Sequence, residues 1–188
     1  MDSIIQSSGM NTLEQYEEAV KACKDIFIKK TKDYGTSWRV LRTVSVVDQL
    51  FIKVQRIRTL QEAKVQMVGD DIASEFLAIV NYGIIGLVQL RLNNPTVENL
   101  AAEKASGLYD EQMSAVKNTM LAKNHDYGEA WRSMSQESFA DMILVKILRI
   151  KQILSNDGKV LVSEGIDANY TDIVNYAIFT LIKNKEHA

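Results

Sequence analysis

The sequence predicts an all-α protein in which two tandem three-helix units pack as a pseudo-two-fold helical bundle. Three observations lead there. Apolar residues recur at helical spacing almost throughout, with no convincing alternation of the kind a strand requires. One proline and nine glycines in 188 residues leave long segments uninterrupted. The chain also repeats itself: KTKDYGTSWR at 30–39 is answered by KNHDYGEAWR at 123–132, and VDQLFIKVQRIR at 47–58 by ADMILVKILRIK at 140–151.

The first helix is expected from Thr12, whose spacing to Gln15 has the form of a capping box, to about Lys32, where an Asp-Tyr-Gly turn ends it. A second begins after Ser45, with Asp48 three residues on, and continues to about Gln61; its counterpart begins at Ser138 with Asp141 in the equivalent place. The third spans about Ile72 to Leu92, answered by about Asp167 to Lys183. Between the copies, Asn94-Pro95-Thr96 opens a short connecting helix that stops near Gly107, a residue suited to a left-handed helix end. The units are therefore 12–92 and 108–184, joined by 93–107 and integrated into one bundle, because three helices with one apolar side each bury it best against a second such set.

The register of the repeat is informative. Asp33, Tyr34, Gly35, Trp38, Arg39, Asp48, Lys53, Arg56 and Ile57 recur 93 positions later, as do Tyr16 and Glu18 in Tyr109 and Glu111. From Ile79-Val80-Asn81-Tyr82 onward the offset is 94, which puts a one-residue length change between 61 and 72, in a loop. The first ten or so residues and the last few fall outside the pattern and are expected to be untethered.

A net charge of −2 and a pI near 5.8 argue against a protein that grips duplex nucleic acid or an anionic membrane by charge. The lone Cys23 provides neither an internal disulfide nor a metal cluster and suits a reducing cytoplasm, the expected location. The start, with an acidic second residue and no long apolar run, is not expected to be a secretory signal. The most apolar stretch, Phe76 to Leu90, is shorter than the roughly 20 residues that span a bilayer and contains Asn81 and Gln89, so no membrane span is expected.

The most specific local pattern is D-Y-G-x-x-W-R. In one reading it is architectural: Gly35 and Gly128 supply a positive φ, Asp33 and Asp126 bond turn amides, and Trp38 and Trp131 plug the bundle ends. In the other it is a cradle for a nucleotide, with a base stacked on Tyr34, Trp38, Tyr127 or Trp131 and a phosphate on Arg39 or Arg132. Lys53 with Arg56, and Lys146 with Arg149, lie three apart and share a helix face, so each pair either extends a phosphate site or forms a solvated strip. Asp48 and Asp141 fit the closing of capping boxes.

Superposing the third helices gives E-x-x-D-x-x-N-Y, with Glu75 surviving in one copy, Asp172 in the other, and Asn81 and Asn175 in both. Carboxylates three apart on a helix can share a hard cation such as Mg²⁺, which makes Mg²⁺ the candidate cofactor. Glu14 and Glu17 form a further E-x-x-E. Since neither third helix keeps both carboxylates, the ligands are either divided between the halves or lost.

The doubled K-x-x-D-Y-G-x-x-W-R, the following K-x-x-R-I and the terminal D-I-V-N-Y-A together resemble the nucleotide modification associated domain 1 family, over nearly the whole chain as two copies. The resemblance implies an all-helical protein of nucleotide or modified-base metabolism whose partner is a small-molecule nucleotide. A more distant likeness is to MazG-like nucleoside triphosphate pyrophosphatases, which hold Mg²⁺ with E-x-x-E and E-x-x-D carboxylates. It implies metal or catalytic roles for Glu14, Glu17, Glu75 and Asp172, although Ala78 and Asn169 break the second pair in each half.

Three functions compete: a nucleotide-binding protein, a Mg²⁺-dependent pyrophosphohydrolase, and a helical interaction scaffold. A homodimer is a candidate assembly. A scaffold would tie up Arg39 and Arg132 in ion pairs and bury both tryptophans, whereas a binder would line a concave pocket with them.

Overall fold

A computed structural model describes residues 11–63 and 71–186. Within them run six α-helices, α1 (Thr12–Tyr34), α2 (Thr43–Glu62), α3 (Ile72–Leu92), α4 (Ala102–Tyr127), α5 (Gln136–Ser155) and α6 (Ile166–Glu186), with one 3-10 turn after α1 (Ser37–Val40) and another after α4 (Ala130–Ser133). No strand occurs among the described residues. The expected tandem units are present, and the offset changes between the second and third helices of each copy. The expectation that both termini are untethered falls on residues outside those described.

The central pair is α3 and α6, packed on each other, with α2 and α5 against them and against one another. The close approach of α3 to α6 depends on two glycines. A Cβ on Gly83 would stand 2.5 Å from Val174 Cγ2, and one on Gly86 2.6 Å from Tyr170 Cζ. This is why α3, with 12 of its residues buried, reads as continuously apolar and not as a stripe. It is 21 residues long with a mean hydropathy of 1.5 over its most apolar window, which meets the length and composition of a bilayer-crossing helix, although 67% of that window is buried inside the bundle. The apolar stretch is longer than Phe76–Leu90 because Ile72 and Leu92 continue it.

Both first helices lie across the seam between the units, each touching α3 and α6. A reciprocal buried network holds them. Tyr16 of α1 donates to Asn175 Oδ1 of α6 at 2.7 Å, and Tyr109 of α4 donates to Asn81 Oδ1 of α3 at 2.8 Å. Each asparagine also donates back into its own unit, Asn81 to the Cys23 carbonyl at 3.0 Å and Asn175 to the Val116 carbonyl at 3.2 Å. Outside the core, Asp48 pairs with Lys151 at 3.0 Å and Asp141 with Arg58 at 3.2 Å, again reciprocally between α2 and α5.

Several expected helix ends are corrected. The cap of α1 is Asn11, which forms a capping box with Glu14 one residue earlier than the Thr12–Gln15 spacing; its short amide side chain accepts from the Glu14 N–H at 2.9 Å. The second helix starts at Thr43 and not after Ser45, so Asp48 is free to pair across the seam. Its counterpart is capped by Ser135, which accepts from the Ser138 N–H at 3.2 Å, and Asp141 likewise pairs across the seam.

The connecting helix ending at Gly107 is also corrected. Asn93, at φ 51°, ends α3, residues 93–101 run without helix, and α4 continues from Ala102 straight through Gly107. Gly107 is exposed, and a Cβ there would meet nothing within 4 Å, so no turn is demanded. The extended connector instead straps the first Asp-Tyr-Gly turn. The Thr96 N–H donates to the Arg39 carbonyl at 2.9 Å, the Leu100 N–H to Thr36 Oγ1 at 2.8 Å, and the Thr36 N–H to Asn99 Oδ1 at 3.1 Å.

Candidate functional site

Each unit has a concavity in the same place, between its first helix, the following 3-10 turn and its third helix. The first, about 520 Å³, is lined by Lys30, Tyr34, Trp38, Gln49, Ser74, Ala78, Asn81 and Tyr82 with apolar neighbours Phe27, Leu41, Leu77 and Ile85. The second, about 470 Å³, is lined by the equivalents Lys123, Tyr127, Trp131, Asp172, Asn175 and Tyr176, and by Lys146 and Glu164. Each Asp-Tyr-Gly turn builds one wall. Gly35 takes φ 69°, and a Cβ there would also meet Asn99 Oδ1 at 2.9 Å, so the turn and its strap together require glycine. Gly128 takes φ 58° and Glu129 follows it into the left-handed region, so the second turn has a different path.

The arginines of the motif do not face these cavities. Arg39 is buried: Nη1 donates to Gln89 Oε1, and Nη2 donates to Asn94 O at 2.7 Å and Asn94 Oδ1 at 3.0 Å. Gln89 completes the lock by donating to the Arg39 and Leu41 carbonyls at 2.9 and 2.8 Å. Arg132 donates to Glu129 at 3.0 Å, Glu186 at 2.8 Å, and Thr12 and Gln15 at 2.7 Å each, tying the second turn to the start of α1. Its guanidinium also lies 4.3 Å from the Trp131 ring centroid. Glu129, which also accepts from Thr12, is held below the usual carboxylate range first by that bond and then by Arg132, against an opposing effect of burial.

The tryptophans differ. Trp131 is buried and stacks on Phe179, centroids 4.3 Å apart and planes at 4°, whereas Trp38 is half-buried and meets Phe27 at 6.3 Å and 42°. Ile85 stands where Phe179 does, which leaves more of the first indole open to its cavity. Both indole Nε1 atoms are buried without a hydrogen-bond partner among the described residues. Burial, then the neighbouring Tyr82 hydroxyl and Asp33 carboxylate, push the Tyr34 phenol up, so it is a neutral donor at physiological pH. Asp33 and Asp126 themselves are exposed, the latter 3.1 Å from His125 Nδ1.

The surviving carboxylates answer the repeated lysine from different turns. Glu75, buried, pairs with Lys53 at 3.3 Å and with Arg56. Asp172, one helical turn further along, takes Lys146 on Oδ2 and Lys123 on Oδ1, both at 2.6 Å. Arg149, the counterpart of Arg56, is exposed and lines a neighbouring cleft. Glu14 closes the cap of α1, and Glu17 pairs with Lys117 at 3.1 Å. The four candidate metal ligands are thus spread over separate ion pairs and a cap, and no group of three or more metal-ligating side chains forms among the described residues. Glu75 and Asp172 do not fit Mg²⁺, since a carboxylate already neutralised by two cationic side chains has little charge left for a divalent ion. Asn81 and Asn175 line their cavities, but their amides are committed to the network between the units.

Lys30, Tyr82 and their counterparts Lys123 and Tyr176 line the cavities yet are absent from the candidates that spacing suggested. A signal was present, since both pairs repeat in register, but a lysine on a helix reads as a solvated one.

The model of the family described as nucleotide modification associated domain 1 matches twice, over residues 30–90 and 123–183. Each match begins at the cavity lysine and ends inside the third helix of its unit. No curated protein and no solved structure matches the chain.

Proposed function

We propose that this chain, which belongs to the nucleotide modification associated domain 1 family, binds a nucleoside or nucleotide, modified or not, in the cavity of its first unit. The observation that carries the proposal is the lining of that cavity. Tyr34, Trp38 and Tyr82 offer rings on which a base can stack, and the ammonium of Lys30, which has no ion pair among the described residues, is available to a phosphate. Gln49 and Ser74 supply donors and acceptors for base or sugar edges. At about 520 Å³ the space suits one such molecule. Lys30 takes the phosphate role in this reading because Arg39 is consumed by Gln89 and Asn94. Binding alone is proposed; no hydrolytic step is derived, since Glu75 and Asp172 are already paired with cations.

The test is a thermal-shift and calorimetric panel of nucleosides and nucleoside mono-, di- and triphosphates, with and without Mg²⁺. At least one should raise the melting temperature, and Lys30→Ala and Tyr34→Ala, both at exposed positions, should remove the effect while Lys21→Ala, at an exposed lysine outside both cavities, leaves it. A flat panel, or a shift indifferent to Lys30→Ala and Tyr34→Ala, would overturn the reading.

A further inference from the structure

The two cavities occupy equivalent places, yet their chemistry has diverged. We infer that the second cavity is a separate site for a small oxyanion, orthophosphate or a phosphomonoester group, held between Lys123 and Lys146. Two substitutions between the copies produce this. Ala78 of the first unit is replaced by Asp172, and Ile85 by Phe179. Phe179 stacks on Trp131 and covers the ring that corresponds to Trp38, so of the second cavity's aromatic rings only Tyr127 and Tyr176 stay open. Asp172 draws Lys146 into the cavity wall, whereas its counterpart Lys53 pairs with Glu75 and does not line the first cavity.

The resulting cluster is electrostatically incomplete. Lys123 and Lys146 each sit 2.6 Å from a different oxygen of one carboxylate, so two positive charges share one negative charge. Lys146 is only 7% exposed, which removes the water that would otherwise screen it. Each ammonium carries three N–H donors, of which Lys123 gives one to Asp172 while Lys146 meets the same carboxylate as an ion pair, leaving donors for a further acceptor. Trp131, on the same cavity, has a buried indole N–H with no acceptor among the described residues. The other acid present, Glu164, is exposed at the rim, where Arg149 and Lys159 share the adjoining cleft with it. Among the residues that line the two clefts, four cations, Lys123, Lys146, Arg149 and Lys159, stand beside two carboxylates, Asp172 and Glu164. A tetrahedral oxyanion would relieve the repulsion between the lysines and supply the missing acceptors.

The experiment titrates the whole protein with inorganic phosphate at constant ionic strength, followed by calorimetry and by ³¹P line width. Phosphate should bind, and Lys123→Gln and Lys146→Gln should each weaken it roughly tenfold or more, as loss of a hydrogen bond to a charged group implies. Lys21→Gln, at an exposed lysine outside both cavities, should leave phosphate binding unchanged. Should Lys146→Gln fail to fold by circular dichroism, the exposed Lys123→Gln decides alone. No binding, binding indifferent to Lys123→Gln, or binding weakened as much by Lys21→Gln would each overturn the inference. None of these outcomes depends on whether the first cavity takes a nucleotide.

Discussion

Removing a single hydroxyl at Tyr16 tests the seam between the two units. Tyr16→Phe keeps the ring, which is fully buried, and deletes only the group that donates to Asn175 Oδ1 at 2.7 Å. That oxygen, in a residue only 5% exposed, then has no donor among the described residues, and an orphaned buried acceptor costs about 1–3 kcal/mol. Tyr109→Phe does the same to Asn81 Oδ1 and should cost a similar amount, because the two bonds are related by the pseudo-two-fold. The pair in one molecule should lose about 2–6 kcal/mol, a large share of a total stability that is about 5–15 kcal/mol for folded proteins. Equilibrium unfolding in urea measures this, with the midpoint falling and the slope unchanged. Tyr34→Phe, at an exposed phenol, serves as the control and should stay within about 0.5 kcal/mol of the parent. A further asymmetry is expected: Tyr16→Phe combined with Asn175→Leu should cost less than the sum of the single changes, since the donor and the acceptor of this bond are then removed together and neither is left orphaned. Losses under about 0.5 kcal/mol for both tyrosines, or a double change that is fully additive, would refute the role given to these bonds.

Two other outcomes follow from packing and titration. Gly86→Ala should destabilise by about 1–3 kcal/mol, or about 2–4 °C in melting temperature for each kcal/mol, because its methyl would fall 2.6 Å from the buried Tyr170 ring; Gly107→Ala, on an open face of α4, should instead stabilise by about 0.5–1 kcal/mol. Burial pushes the Cys23 thiol up to about 12, so a thiol reagent at pH 8 should label it only at the rate of unfolding, and Gly86→Ala should raise that rate; fast labelling of the native parent protein would contradict its burial.

Much of the fold could be read from periodicity and repetition. The third helix, expected from about Ile72 to Leu92, has those limits because Asp71 caps one end and Asn93 turns left-handed at the other, both local chemistry. Gly107 misled for the opposite reason: a glycine is compatible with a helix end but does not impose one, and α4 gains more from packing Ala105 and Tyr109 on either side of it than it loses in backbone entropy. In the candidate site, Tyr34 and Trp38 line a cavity as their spacing suggested, while Arg39 turned inward. Recurrence reports that a residue type is kept at equivalent places and is silent on its partners, which for Arg39 are Gln89 and Asn94 and for Arg132 are Glu129, Glu186, Thr12 and Gln15. For Arg39 the partners, Gln89 and Asn94, lie 50 and 55 residues away, and spacing along one helix cannot reveal which faces of distant segments meet.

The reciprocal bonds of Tyr16 to Asn175 and Tyr109 to Asn81 have a bearing on what a joined chain can do that two separate ones cannot. Two identical single-unit chains meeting about a true axis would make the same contacts, but every substitution would enter both halves at once. Glu75 in one half with Asp172 in the other, or Ile85 opposite Phe179, is forbidden to such a pair by symmetry. Covalent fusion lifts that restriction while the interlocked tyrosines keep the geometry two-fold, so one cavity is free to specialise without altering its twin.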